Sequence, residues 1–422
     1  MEHKKIVCKN YNIHIIQDKR FHSILLRVFF TENVTREKIT YRNFLISMLT
    51  YATKKYNSKN KLLRKCQDLY TIYPSASSNR FGNLLTTKFT LSILKSIYID
   101  NSYIKENILL LKEMLLNPLA YNNRFDSKYF DIVKKEQINE IKTIKEEPRL
   151  YTNIKMLEEM EPDNNKYYTL TGYSSMDVIN DINEEKLYQS YLDMLNNSRI
   201  DIYVSGNITN ENEIIEIIKE EFDFPNNKCE LLSPYIFHHD RNSEMIVKKE
   251  VNSYNQSKIS MGLKTYDLSD YELKYVLPVF SIMLGGQRDS LLMQKVREDN
   301  SLAYYIGCYH NKLDGLLIIN SGINKSNYEK VIDLIKMVLL NVSCGKFKKS
   351  DLKKSILEYI SEIESLKDNN SNLIEYVYGM DVFHSDTIEK RIDIIKNVSK
   401  DDIINLATKI DIKAIFYLEG EL

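Results

Sequence analysis

The chain has 422 residues with 58 basic and 58 acidic side chains, so its formal net charge is zero. Charged residues make up 27% and hydrophobic ones 43%, the balance of an ordinary globular protein with room for two large domains. The neutral charge argues against a dedicated nucleic-acid or membrane-surface protein, since both use a basic excess.

The five cysteines, Cys8, Cys66, Cys229, Cys308 and Cys344, are scattered and form no C-x-x-C pair. Reduced thiols and a cytoplasmic setting are expected, with neither a disulfide framework nor a cysteine zinc site. The stretch M-E-H-K-K-I-V-C-K-N-Y lacks the apolar core and cleavage site of a signal peptide, and no apolar run is long enough for a membrane span.

In chain order, a β-rich stretch at Ile24–Phe30 precedes an amphipathic helix over Arg36–Tyr56. A strand pair follows, Tyr70–Ala76 with Asn83–Leu91, then a helix over Ile104–Leu116, a long charged helix and a strand ending at Gly206. The series then repeats: Lys258–Leu263, a helix over Asp270–Leu284, Ala303–His310 with Gly315–Ser321, a helix over Tyr328–Leu340, a charged helix and a strand ending at Gly420.

Short matches support a duplication. L-L-K-E-M-L-L-N at 110–117 corresponds to L-I-K-M-V-L-L-N at 334–341, Phe125–Ile141 to Phe347–Ile363, and F-G-N-L-L at 81–85 to L-D-G-L-L at 313–317. Their order is the same in both halves, which coincidence would not give. The predicted fold is α+β: two homologous halves, each an antiparallel-rich sheet with helices packed on one side. The halves are residues 1–223 and 243–422, joined by a connector over 224–242 that carries Pro225 and Pro234.

Three segments could carry chemistry. In N-F-L-I-S-M-L at 43–49, Asn43 and Ser47 share a helical face with Ile46 between them, while Phe44, Leu45, Met48 and Leu49 suit a core. In M-L-G-G-Q-R-D-S-L-L-M-Q-K-V-R-E-D-N-S-L-A-Y-Y, Arg297 and Tyr304 lie seven residues apart, after Gly285 and Gly286. The segment T-I-Y-P-S-A-S-S-N-R-F-G around Tyr73 and Ser75 suits an edge strand, where Pro74 is tolerated. Each also has a plain structural reading: a core helix, a helix-end cation beside a core strand, a turn, and an edge guarded against aggregation. None of the seven histidines has an i+4 histidine or carboxylate on a helix, and His238-His239 sits in the connector, so no metal ligands are expected.

With these residues in place, the chain resembles the insulinase/pitrilysin superfamily of zinc peptidases, which includes mitochondrial processing peptidase. The likeness covers nearly the whole chain. K-E-E-P-R-L-Y-T-N-I-K-M-L-E-E-M followed by Y-Y-T-L-T-G-Y resembles the YmfF-like branch. Active relatives carry H-x-x-E-H, two zinc ligands and a general base, where this chain has Asn43, Ile46 and Ser47. Glu140 is the nearest match to the third zinc ligand, and a surface role suits it better.

The second-half motif is similar to L-G-G-G-x-x-S-R-L-x-x-x-L-R-E-x-x-G-L-A-Y. The resemblance implies that Tyr304 would aim its hydroxyl at a substrate carbonyl, that Arg297 would bind peptide carbonyls or hold Tyr304, and that Gly285 and Gly286 would let a loop approach the peptide. Tyr73 and Ser75 would lie on the substrate-binding edge strand. Ser301 stands where the family has glycine.

The expected function is the non-catalytic, zinc-less subunit of a heterodimeric metalloendopeptidase acting on peptides or small unfolded polypeptides. A partner of the same fold would carry H-x-x-E-H and the zinc. The alternative is an inert peptide-binding or scaffolding protein of the same fold, or a homodimer when the partner is absent. A self-sufficient Ser or Cys hydrolase is disfavoured, because no G-x-S-x-G elbow is present.

Overall fold

The computed structural model describes residues 2–70, 74–94, 102–160, 173–225, 229–241 and 244–421. The chain forms two compact units. In the first, β1 (Glu2–Val7), β2 (Asn12–Gln17), β3 (Ser23–Asn33), β4 (Ser75–Phe81), β5 (Leu84–Leu94) and β8 (Arg199–Gly206) build a sheet in the order β1-β2-β8-β3-β5-β4. Between them, β6 (Ala120–Tyr121) and β7 (Arg124–Phe125) make a small hairpin. In the second, β9 (Ile246–Val251), β10 (Ser257–Thr265), β11 (Ala303–Asn311), β12 (Leu316–Ile323) and β13 (Ile410–Glu419) are ordered β11-β12-β10-β13-β9.

The two orders are the same sequence of equivalents, with β1 as an extra edge strand in the first unit. Both sheets are mixed: β2 runs parallel to β8 and β9 parallel to β13, and the remaining pairs are antiparallel. This is the expected α+β duplication, with one parallel pair added to each sheet. No helix among the described residues is long and apolar enough to cross a membrane.

The first-unit helices include α1 (Arg36–Tyr51), α2 (Lys59–Asp68), α3 (Ser102–Leu116) and α4 (Ser127–Thr143). Alternation along β3 decides what each face covers. Leu26, Val28 and Phe30 share a core with Phe44, Leu45 and Met48 of α1. Arg27, Phe29 and Thr31 point the other way, onto the helix Asn370–Val382. There Arg27 donates to Glu375 at 2.8 Å, and the Tyr378 ring stacks on Phe29 with centroids 4.2 Å apart.

A matching helix, α5 (Pro148–Met160), belongs to the second unit. Its Tyr151, Met156, Leu157 and Met160 pack on Leu316, Ile318, Ala414 and Phe416 of the second sheet. The two helices are equivalent in the duplication, since 370 − 148 and 382 − 160 are both 222. Each half therefore lends one helix to the other half's sheet, up to Tyr378 in the second case. The compact units follow that exchange and not a single cut at 224–242: they comprise 1–142, 172–233 and 369–378, and 143–171, 234–368 and 379–422. An amphipathic stripe shows that a helix must be covered, but not by which sheet. These helices also cover a second face of each sheet, beyond the single helical layer expected.

Candidate functional site

Helix α1 starts at Thr35, whose side chain accepts a hydrogen bond from the Lys38 amide and caps the first turn. Arg42, fully buried, fixes its middle. Its guanidinium donates to both carboxylate oxygens of Glu32 on β3 at 2.5 and 2.9 Å, to Asp193 at 2.8 Å and to the Ser190 carbonyl at 2.9 Å. Phe44, Leu45, Met48 and Leu49 are buried as expected.

Asn43, Ile46 and Ser47 lie on the opposite, half-buried face. They line a cavity of about 190 Å³ with Gln137, Glu140 and Ile141 of α4 and with Tyr173 and Ser174. Asn43 donates to Ser174 Oγ at 3.3 Å, and Gln137 donates to Glu140 Oε2 at 3.0 Å. Glu140 is exposed, as read from sequence, yet it borders the same cavity as the three degenerate positions. Gln137, Tyr173 and Ser174 were not singled out from sequence; only the α4 spacing, with Gln137 one turn before Glu140, hinted at one of them.

These residues do not fit a catalytic zinc. Zinc sites use imidazole, thiolate and carboxylate donors, and this cavity offers two amides, three hydroxyls and one carboxylate, with the alkyl group of Ile46 between Asn43 and Ser47. Tyr73 lies outside the described residues. Ser75 begins β4, which ends its sheet and pairs only with β5 among the described strands.

In the second unit the expected glycine loop is helical. π-helical turns at Glu272–Val276 and Ile282–Gly286 flank an α-helical stretch, Leu277–Ser281. Gly285 is buried against β11: a Cβ there would stand 2.4 Å from the Cys308 amide nitrogen. It brings helix and strand together, and it is not open to a peptide. Gly286 is exposed at the end of the π turn.

A third π-helical turn, Met293–Glu298, carries Arg297. The Arg297 carbonyl accepts from the Ser301 amide at 2.9 Å, and the Leu302 amide donates to Val296 at 3.1 Å. Closing this turn puts Ser301 in the left-handed region at φ 52°. The glycine of relatives would adopt that conformation without a Cβ penalty.

The chain then enters β11 through a bulge. Ala303 pairs with Ile323 and Tyr305 with Gly322, so Tyr304 is the unpaired extra residue. The bulge turns Tyr304 outward: it is 50% exposed and donates its hydroxyl to Asn324 Oδ1 at 2.7 Å. The Arg297 side chain is 48% exposed, with Glu298 at 3.7 Å. Both side chains stand half-exposed to solvent, the tyrosine with its one donor on Asn324.

The two buried cysteines are poor nucleophiles. Burial pushes the Cys308 thiol up to about 12 and the Cys66 thiol up to about 11. His238 and His239 turn to different partners, the Asp314 carbonyl and the Asp267 carboxylate, each at 2.8 Å. Burial and then Lys312 hold His310 down at about 4.

Residues 181–359 match the family model described as the peptidase M16 inactive domain. The probable inactive metalloprotease YmfF of Bacillus subtilis (strain 168) is 26% identical over 416 residues, covering 96% of this chain and 95% of that protein. The uncharacterized zinc protease YmxG of the same organism is 28% identical over 233 residues, 51% of this chain and 54% of that one. The crystal structure of a conserved protein from Enterococcus faecalis V583 superposes with a TM-score of 0.90 at 22% identity, covering 99% of both chains, which shows the shared fold. A helix without zinc donors, the duplicated sheets and these likenesses agree: the chain is similar along nearly its whole length to a probable inactive metalloprotease, and its residues 181–359 match the peptidase M16 inactive domain.

Proposed function

We propose that this chain is the zinc-less subunit of a two-chain metalloendopeptidase acting on peptides or small unfolded polypeptides. A partner of the same fold carries H-x-x-E-H and the metal, and this chain contributes Arg297, Tyr304 and part of the peptide-binding wall. The observation that carries the reading is the contrast between two sites. One has no zinc donor set, while the other presents an exposed tyrosine hydroxyl from a bulge, on the strand that follows the turn carrying the exposed Arg297. A phenol held by one acceptor at 2.7 Å can turn its proton toward a developing oxyanion. The edge strand β4 supplies open main-chain groups for an extended peptide.

Relatives of both kinds occur in one organism, a probable inactive metalloprotease and an uncharacterized zinc protease, which supports a pairing of the two types. The five free cysteines suit a reducing, cytoplasmic compartment. A bound peptide that is never cleaved is the second reading, and it shares everything except dependence on Tyr304.

The test is to purify the tagged chain gently from its own cells and identify co-purifying chains by mass spectrometry, then to assay the complex with Tyr304→Phe. A stoichiometric zinc-motif partner and a loss of about 10²-fold or more in turnover, with assembly intact, are expected from removing an oxyanion donor. Unchanged turnover would take Tyr304 out of the mechanism. Recovery of this chain alone would favour the non-cleaving reading.

A further inference from the structure

On the face of the second sheet that α5 covers, the strand registers put Lys258, Gly322 and Tyr305 side by side on β10, β12 and β11. Because Gly322 has no side chain, the Tyr305 ring lies across it: a Cβ there would be 2.5 Å from the ring and 3.1 Å from the Lys258 ammonium. The ammonium stands 5.2 Å from the ring centroid, and the Arg149 guanidinium of α5 stands 5.3 Å from it. Two cations thus share one aromatic ring.

Neither cation has a carboxylate partner among the described residues, and the hydrogen bond of Lys258 goes to the neutral Gln256 at 2.8 Å. Burial and then the charge of Arg149 lower the lysine's pKa. Like charges held together without a counter-ion are unfavourable until an anion joins them.

The next row on the same face is Ser260, Asn320 and Gly307, which leaves open space between Tyr305 and Tyr309. A cavity of about 400 Å³ opens there, with Arg149, Asn153, Tyr309 and Asn320 in its lining. The Tyr309 hydroxyl donates to Asn153 Oδ1 at 3.0 Å. Glu147, the one carboxylate in the lining, is exposed and forms no ion pair with either cation.

We infer that this cavity is a subsite for a carboxylate-bearing peptide. Arg149, in the cavity wall, binds the carboxylate, Lys258 on the Tyr305 ring adds positive potential from outside the lining, and the asparagine amides and Tyr309 face the chain. The carboxylate is either a free C-terminus or an Asp or Glu side chain. The inference rests on the peptide-binding part of the reading above and requires no partner subunit.

The experiment measures anisotropy of tetramethylrhodamine-labelled heptapeptides on the full chain alone. Three otherwise identical peptides are compared: one with a free C-terminus, one amidated, and one amidated with an internal Glu. One or both acidic peptides should bind about tenfold tighter than the neutral amide, with the advantage shrinking as salt rises. Arg149→Gln, on the exposed surface of α5, and Arg149→Gln with Lys258→Gln should abolish the preference while leaving the melting curve in place.

Preference for one acidic peptide alone identifies the source of the carboxylate. Equal affinity for all three peptides, a preference that persists in the double variant, or no binding of any peptide at millimolar concentration would overturn the inference. The Tyr304→Phe assay is unaffected by any of these outcomes, so the two ideas fail separately.

Discussion

The helix after the first long strand of each unit is the same element in the duplication, yet the two are held by different forces. In the first unit, α1 is a regular, capped helix tied to its sheet by the buried Arg42–Glu32 pair. In the second unit, the counterpart over 270–286 passes through two π turns and meets its sheet backbone to backbone at Gly285. An ion-pair anchor fixes a helix whatever stands on its open face, so Asn43, Ile46 and Ser47 can occupy the zinc positions without disturbing the frame. A glycine contact fixes the distance to one strand, β11, and that strand's bulge aims Tyr304. π turns often mark functional sites, and in this chain they cluster beside the residues with exposed donors.

The contrast can be sharpened or broken by substitution. If α1 and α4 keep the zinc-site frame, Asn43→His with Ser47→His should recruit Glu140 and bind zinc at micromolar affinity or better. That is about 8 kcal/mol of binding, read by chelator competition. No uptake would show that Glu140 lies out of reach of the two new imidazoles. Arg42→Ala leaves Glu32 and Asp193 with Lys38 as their remaining cation and removes the buried partner of Glu32, which should cost about 3 kcal/mol in denaturant unfolding. A loss below about 1 kcal/mol would remove the ion-pair anchor from the comparison.

Gly285→Ala should cost about 1–3 kcal/mol by driving a methyl into the β11 backbone. It should also lower turnover of the complex through Tyr304, with a smaller effect on peptide affinity. A neutral Gly285→Ala would mean that β11 is positioned by its strand pairing alone. The smallest effect is expected at Ser301→Gly, which relieves a left-handed serine and should raise stability by up to about 1 kcal/mol. A loss of stability there would show that the serine side chain contributes more than its backbone strain costs.

Much of this was legible in the sequence because it depends on local period and order. The strands β3, β5, β10 and β12 fall where β-branched runs predicted them, and α1 carries its apolar residues on the predicted face. The boundaries moved where a turn intervened: α1 stops at Tyr51, and β4 begins at Ser75, after Tyr70 takes φ 48°. The glycine pair was read as a loop because Gly-Gly is an ordinary turn signal, and nothing in the spacing reported that β11 lies against it. The bulge at Tyr304 was invisible for a similar reason, since it exists only relative to the register of β12.

The sequence by itself determined the duplication, the α+β class and the amide, alkyl and hydroxyl chemistry at Asn43, Ile46 and Ser47, because repeats, periodicity and side-chain chemistry are written along the chain. Tertiary structure decided which sheet each lent helix covers, that Glu140 shares a cavity with Asn43 and Ser47, and that Arg149 and Lys258 both stand at the Tyr305 ring. Such pairings join residues that local pattern does not connect. They are selected only when whole apolar faces find their partners and the strand registers lock.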